Sequence, residues 1–106
     1  MPKYMVQASY TAEGLKGLQK DKASGRREAV SSAIAALGGK IEALYYALGD
    51  DDIIVIADMP DHTAVAALSL AASASGLVRT KTTALMTVEE VDKALAMSVS
   101  YRPPGR

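Results

Sequence analysis

The segment Ile53-Ile54-Val55-Ile56-Ala57 is apolar at every position and lies within a stretch, Ile41 to Val78, that contains no Lys or Arg. A strand with one face in water alternates apolar and polar residues, so an unbroken apolar run is the pattern of a strand covered on both sides. In a chain of 106 residues the helices can cover one side of a small sheet and little is left for the other. The second side then calls for another subunit, and the sequence predicts a homodimer or larger assembly formed through the sheet face.

One domain is expected over residues 1–106, with an extended tail at 100–106. Twelve basic and twelve acidic residues cancel, which removes the overall positive field of a protein that grips nucleic acid through its phosphates. The distribution is uneven. Residues 1–40 carry seven basic and three acidic side chains (+4), residues 41–78 carry six acidic and no basic ones (−6), and residues 79–106 carry five and three (+2). With no cysteine, there is no disulfide framework, thiolate metal site or cysteine nucleophile. The N-terminus runs straight into a strand-like segment without an apolar leader, so a cytoplasmic location is expected. The uncharged segment Thr63–Val78 is shorter than the roughly 20 apolar residues that span a bilayer, and it reads as a buried helix rather than a membrane contact.

Lys3–Tyr10 reads as the first strand, with Tyr4, Val6, Ala8 and Tyr10 on one face and Met5, Gln7 and Ser9 on the other. Thr11 offers an N-cap, followed by a short helical piece that weakens at Gly14 and Gly17. From Ser24 a firmer helix carries the stripe Val30, Ala33, Ile34 and Leu37, and Gly38-Gly39 stops it. Lys40–Leu48 is the second strand, and strict alternation puts Ile41, Ala43 and Tyr45 on one side and Leu44, Tyr46 and Leu48 on the other. Gly49-Asp50-Asp51-Asp52 turns the chain into the apolar third strand. Asp61 caps a helix that runs to about Ser75, and Val78–Met86 is the fourth strand. Thr87-Val88-Glu89-Glu90 is a capping box that opens a last helix reaching about Val99. The fold class is therefore α+β, a ferredoxin-like βαββαβ unit with a four-stranded antiparallel sheet plus a C-terminal helix. Its two central strands are the first and third.

The chain resembles the GYD-domain family of small bacterial proteins. The resemblance is carried by Tyr4–Leu18, Arg26-Arg27, Leu37-Gly38-Gly39, the Gly49–Asp52 turn, Lys81-Thr82-Thr83 and the tail Tyr101–Gly105. It implies a ferredoxin-like subunit in a dimeric α/β-barrel assembly, and it brings no established reaction. Where the family's Gly-x-Tyr-Asp motif carries an aromatic residue, Asp51 stands here, between the retained Gly49 and Asp52.

No phosphate-binding loop, catalytic triad or paired catalytic carboxylates is evident. Asp50-Asp51-Asp52 has the carboxylates for a divalent cation, but a hairpin turn uses the same residue types and nothing distal completes a shell, so no metal and no cofactor are expected. His62 is the one catalytic candidate, as the side chain whose ordinary pKa lies near neutrality. Tyr10, Tyr46 and Arg79 are the ligand-binding candidates. The tyrosines suit a cavity between sheet and helices, and Arg79 with Lys81 suits a carboxylate or phosphate. The basic set Lys16, Lys20, Lys22, Arg26 and Arg27 lacks interleaved aromatics and reads as a solvated face. The leading functional reading is an oligomeric module that binds a small molecule or a partner. The alternative is a cofactor-independent enzyme of the monooxygenase or isomerase kind acting on a small organic substrate.

Overall fold

The computed structural model describes residues 1–106. Its elements follow the order β1 (Lys3–Tyr10), α1 (Ala12–Ala36), β2 (Lys40–Tyr46), β3 (Ile53–Asp58), α2 (His62–Ala74), β4 (Val78–Leu85) and α3 (Val88–Ala96). The strands form one antiparallel sheet in the order β2-β3-β1-β4, the split βαβ arrangement of ferredoxin-like domains. Both central strands are hydrogen-bonded on both edges.

Register divides the side chains between two faces. Tyr4, Val6 and Ala8 of β1 stand opposite Ala57, Val55 and Ile53 of β3, and together with Ile34 of α1, Met59 and Val65 of α2 they form the buried core. The other face presents Met5, Gln7 and Ser9, flanked by Ile54 and Ile56 on one side and by Arg79, Lys81 and Thr83 on the other. The apolar run in β3 is thus split by the pleat: Ile53, Val55 and Ala57 meet the helices, while Ile54 and Ile56 belong to the open face.

Strict alternation fails in β2. The pairing slips between Ile41 and Ala43, a β-bulge at Glu42, and one extra residue reverses every side chain beyond it. Ile41 and Leu44 both pack against the core, and Tyr46 joins them opposite Ile53. Ala43 and Tyr45 turn to the open face, and the bulged Glu42 binds Lys3 Nζ at 3.0 Å beside Asp58 at 2.9 Å. Hydrogen bonding to Lys3 holds the Asp58 carboxyl below the usual carboxylate range.

The two-piece expectation for the first helix is met by a kink at Lys22, whose φ of 65° and ψ of 165° are not helical. An L side chain in that region is strained by about 1–3 kcal/mol. The N-terminal piece is clamped to the loop before β4. Thr11 N–H donates to Leu77 O at 2.9 Å, Thr11 Oγ1 accepts from Gly14 N, and a Cβ on Gly14 would lie 2.0 Å from Leu77 O. The C-terminal piece ends at Leu37, where Gly38 takes a φ of +84°. On the other side of the face, α2 is tied to β4 by hydroxyl pairs, Ser69 with Thr82 at 2.7 Å and Ser73 with Thr80 at 3.1 Å.

The capping box is present, with Glu90 N–H donating to Thr87 Oγ1 and Thr87 N–H to Glu90 Oε1. The helix it opens ends at Ala96, short of Val99, and buries no residue. Val88 and Leu95 are 75% and 78% exposed. α3 and the tail project from the body, which gives a radius of gyration of 16.9 Å against about 13 Å for a compact chain of this length.

Gly14 and Gly17 make a paired test. Gly14→Ala drives a methyl group into the Leu77 carbonyl and is expected to cost about 1–3 kcal/mol. A Cβ on Gly17 meets nothing within 4 Å, so Gly17→Ala should gain about 0.5–1 kcal/mol from helix propensity. Opposite shifts of the denaturant midpoint are the expected result; equal shifts would mean that the clamp is misplaced.

Candidate functional site

Two indentations on the helix side adjoin one another between α1, α2 and the ends of β1 and β4. The outer cavity holds about 320 Å³ and is lined by Tyr10, Gly17, Leu18, Arg26, Leu77 and Val78 among others. The inner slot holds about 80 Å³ between Val30, Val55, Leu68 and the small side chains of α2 and β4. Tyr10, Arg26, Ala72 and Val78 belong to both. The first piece of α1, separated from the second by the kink at Lys22, forms one wall of the cleft, and Gly17 presents no side chain there.

At its edge the Tyr10 and Tyr46 hydroxyls lie 3.4 Å apart. Burial, and then the hydrogen bond to Tyr10, push the Tyr46 hydroxyl well above the ordinary tyrosine range. The Tyr46 phenol is therefore a proton donor at neutral pH, not a base. Arg26 faces Asp21 at 3.7 Å, too far for a hydrogen bond.

The four candidates named from sequence do not form one constellation. Tyr10 and Tyr46 meet on the helix face. Arg79 stands opposite Ser9 on the open face, in a polar hollow with Lys81, Asp50 and Asp51, so the sheet lies between it and the tyrosines. His62 is exposed at the start of α2 and lies at the other end of β1. There its Nδ1 is hydrogen-bonded to the Tyr4 hydroxyl, with the two rings edge to face at 5.6 Å. Tyr4 and Tyr10 are six residues apart on β1, roughly 20 Å, so His62 stands away from the cleft. Its observed work is to give the buried Tyr4 hydroxyl a partner.

The three aspartates diverge. Asp52 accepts from Tyr10 N–H at 2.8 Å. Asp51 accepts from Gln7 at 3.2 Å and Ser9 at 3.1 Å and pairs with Lys81 at 3.1 Å. No three His, Cys, Asp or Glu side chains converge. Arg26 and Gly17 are what the sequence reading missed. Arg26 was submerged in a basic run of which it is the one member facing the cleft, and the Gly14/Gly17 spacing marked the helix face where room is left.

The sequence profile of the GYD domain matches residues 4–95. The chain belongs to that family. No curated protein and no solved structure matches it.

Tyr4 is 2% exposed, so His62→Ala strands its hydroxyl and should cost about 1–3 kcal/mol. Adding Tyr4→Phe to that variant should recover part of the loss in denaturant unfolding, whereas strictly additive losses would count against the pairing. Lys22→Gly releases the strained backbone and should raise the denaturant midpoint, by about 1 kcal/mol in stability; a lowered midpoint would show that the lysine is not strained.

Proposed function

We propose that this GYD-domain protein is a self-associating binding module, in which two copies pack their open sheet faces together and each keeps its helix-side cleft for a small molecule. The observation that carries the reading is surface area. The chain exposes 7501 Å², whereas a compact monomer of its mass exposes about 5,700 Å², an excess of roughly 1,800 Å² that falls in the range each partner of an obligate dimer buries.

The excess is apolar where a partner would sit. Met5, Ile54 and Ile56 form the centre of the open face, and Tyr45 beside them is 71% exposed. The nine residues of α3 are fewer than the 12–15 or so that hold a helix in water unaided. Its stripe Val88, Val91 and Leu95 has no cover within the subunit. A second copy supplies both surfaces at once, and α3 lying on the partner gives each its missing contact. No helix is long and apolar enough to cross a membrane, so a bilayer-spanning role for the apolar segments is not supported.

An enzymatic reading has one feature in its favour, the hydroxyl pair of Tyr10 and Tyr46 at the cleft. The Tyr46 hydroxyl holds its proton, and Asp21 at the outer edge is the only carboxylate among the lining residues. Binding is thus better supported than turnover.

Ile54→Asp places a charge in the centre of the proposed interface, where an unpaired carboxylate is strongly disfavoured. The natural protein is expected to sediment as a dimer or larger at micromolar concentration and Ile54→Asp as a smaller species. A folded, monodisperse monomer of the natural sequence would overturn the reading.

A further inference from the structure

The cleft combines an apolar interior with a single cation. We infer that it binds an amphipathic monocarboxylate, with the carboxylate on Arg26 and the apolar body in the slot behind it. This rests on the small-molecule half of the function proposed above and names the ligand class.

Arg26 is the only Lys or Arg among the residues lining either cavity. Its side chain is 35% exposed and its one ion-pair partner, Asp21, stands beyond hydrogen-bond distance at 3.7 Å. A planar guanidinium has five N–H donors in a fork that matches a carboxylate. Partly withdrawn from water and left without a close acceptor, it gains from an anion that arrives with both oxygens. Across the 3.4 Å between the Tyr10 and Tyr46 hydroxyls one donates to the other, which leaves the second free to donate outward. Arg26 and Tyr10 line both cavities, and Tyr46 meets Tyr10 at the edge.

Charge selects the valence of the ligand. Arg26 supplies one positive charge and Asp21 beside it one negative charge, so the pair is neutral as a whole; the guanidinium gives a carboxylate one point of attachment, and no second cation is there for a phosphate dianion. The slot behind Arg26 selects the rest. Val30, Val55, Leu68 and Val78 line it, and besides Tyr10 and Arg26 its side-chain polar groups are the Ser69 and Thr80 hydroxyls, which are already engaged with Thr82 and Ser73. A hydrocarbon body gains there by leaving water, while a sugar or peptide would lose hydrogen bonds it could not replace. The backbone strain at Lys22 lies four residues before Arg26; strain of that kind persists where the surroundings enforce it and concentrates at binding sites.

Gly17 provides a means of closing the site. Its missing side chain points into open space and it lines the outer cavity, so Gly17→Leu fills the cleft without displacing a core contact. The test uses the natural assembled protein labelled with nitrogen-15 and titrated with octanoate, 1-octanol and octyl phosphate.

Octanoate is expected to shift the amides of Gly17, Leu18 and Arg26 and to saturate. Arg26→Gln should weaken octanoate by about tenfold or more, the loss of a hydrogen bond to a charged group, and leave 1-octanol within about twofold. Gly17→Leu should abolish both. A thermal midpoint for each variant near that of the natural protein shows that the fold is intact. If octanoate and 1-octanol bind the cleft alike and Arg26→Gln changes neither, or if octyl phosphate binds best, the carboxylate assignment falls and the cleft stands as a site of other chemistry. If no probe moves the cleft amides, the small-molecule reading falls with it, while sedimentation reports separately on self-association.

Discussion

The structure depends on the way the two central strands of the sheet are covered. β1 and β3 have their backbone groups paired on both edges, so their side chains have only two directions in which to go. On one side α1 and α2 supply Ile34 and Val65, and the core closes around them. On the other side the same strands present Met5, Ile54 and Ile56, and no helix of the subunit reaches that face. Only ten of 106 residues are buried, a small core for a chain of this length. The subunit satisfies half of its sheet.

Elements set by local chemistry were legible in the sequence. The N-caps Thr11, Asp61 and Thr87 were each visible as a short polar side chain before a periodic run, and all three accept a backbone N–H three residues on. Strand limits agreed within two residues, because Gly, Asp or Pro flanks at least one end of each strand and a capping threonine follows β1 and β4. The bulge at Glu42 was not legible. Alternation assumes one residue per position, and nothing in Lys-Ile-Glu-Ala-Leu-Tyr-Tyr announces an extra one; its cause is three-dimensional, Lys3 drawing Glu42 and Asp58 together at the end of the sheet. The kink fell at Lys22 rather than at one of the helix glycines, since the break is imposed by docking the first piece against Leu77 and the second against the core.

The same bulge explains why the cleft was only half foreseen. Alternation puts Tyr46 with Glu42 and Leu48, and the slip turns it to the helix face, where it meets Tyr10. Two tyrosines chosen separately as sheet aromatics are thus neighbours through an irregularity of register. Arg79 was chosen for its chemistry and its spacing from Lys81, and spacing of two along a strand correctly puts both on one face. Which face could not be read from that spacing. It depends on β4 pairing Arg79 with Ser9 and not with Tyr10.

The turn Gly49–Asp52 connects the two faces. Adjacent residues at the end of a strand point to opposite sides of the sheet, so Asp51 serves the open face, through Gln7, Ser9 and Lys81, while Asp52 holds the Tyr10 N–H at the edge of the cleft. Its own backbone is fixed in turn, Asp52 N–H donating to Ala8 O and Asp52 O accepting from Ala47 N–H. Asp51 is therefore a carboxylate with three partners on the face proposed to meet a second subunit. Both well-placed acids are committed to neighbours, which removes the convergent oxygens a hard cation needs and leaves the turn a different task. Lys81 and Ser9 are ordered from one side of it and Tyr10 from the other. Any partner that packs against the Asp51 side bears, through a single peptide unit, on the backbone that positions the cleft tyrosine.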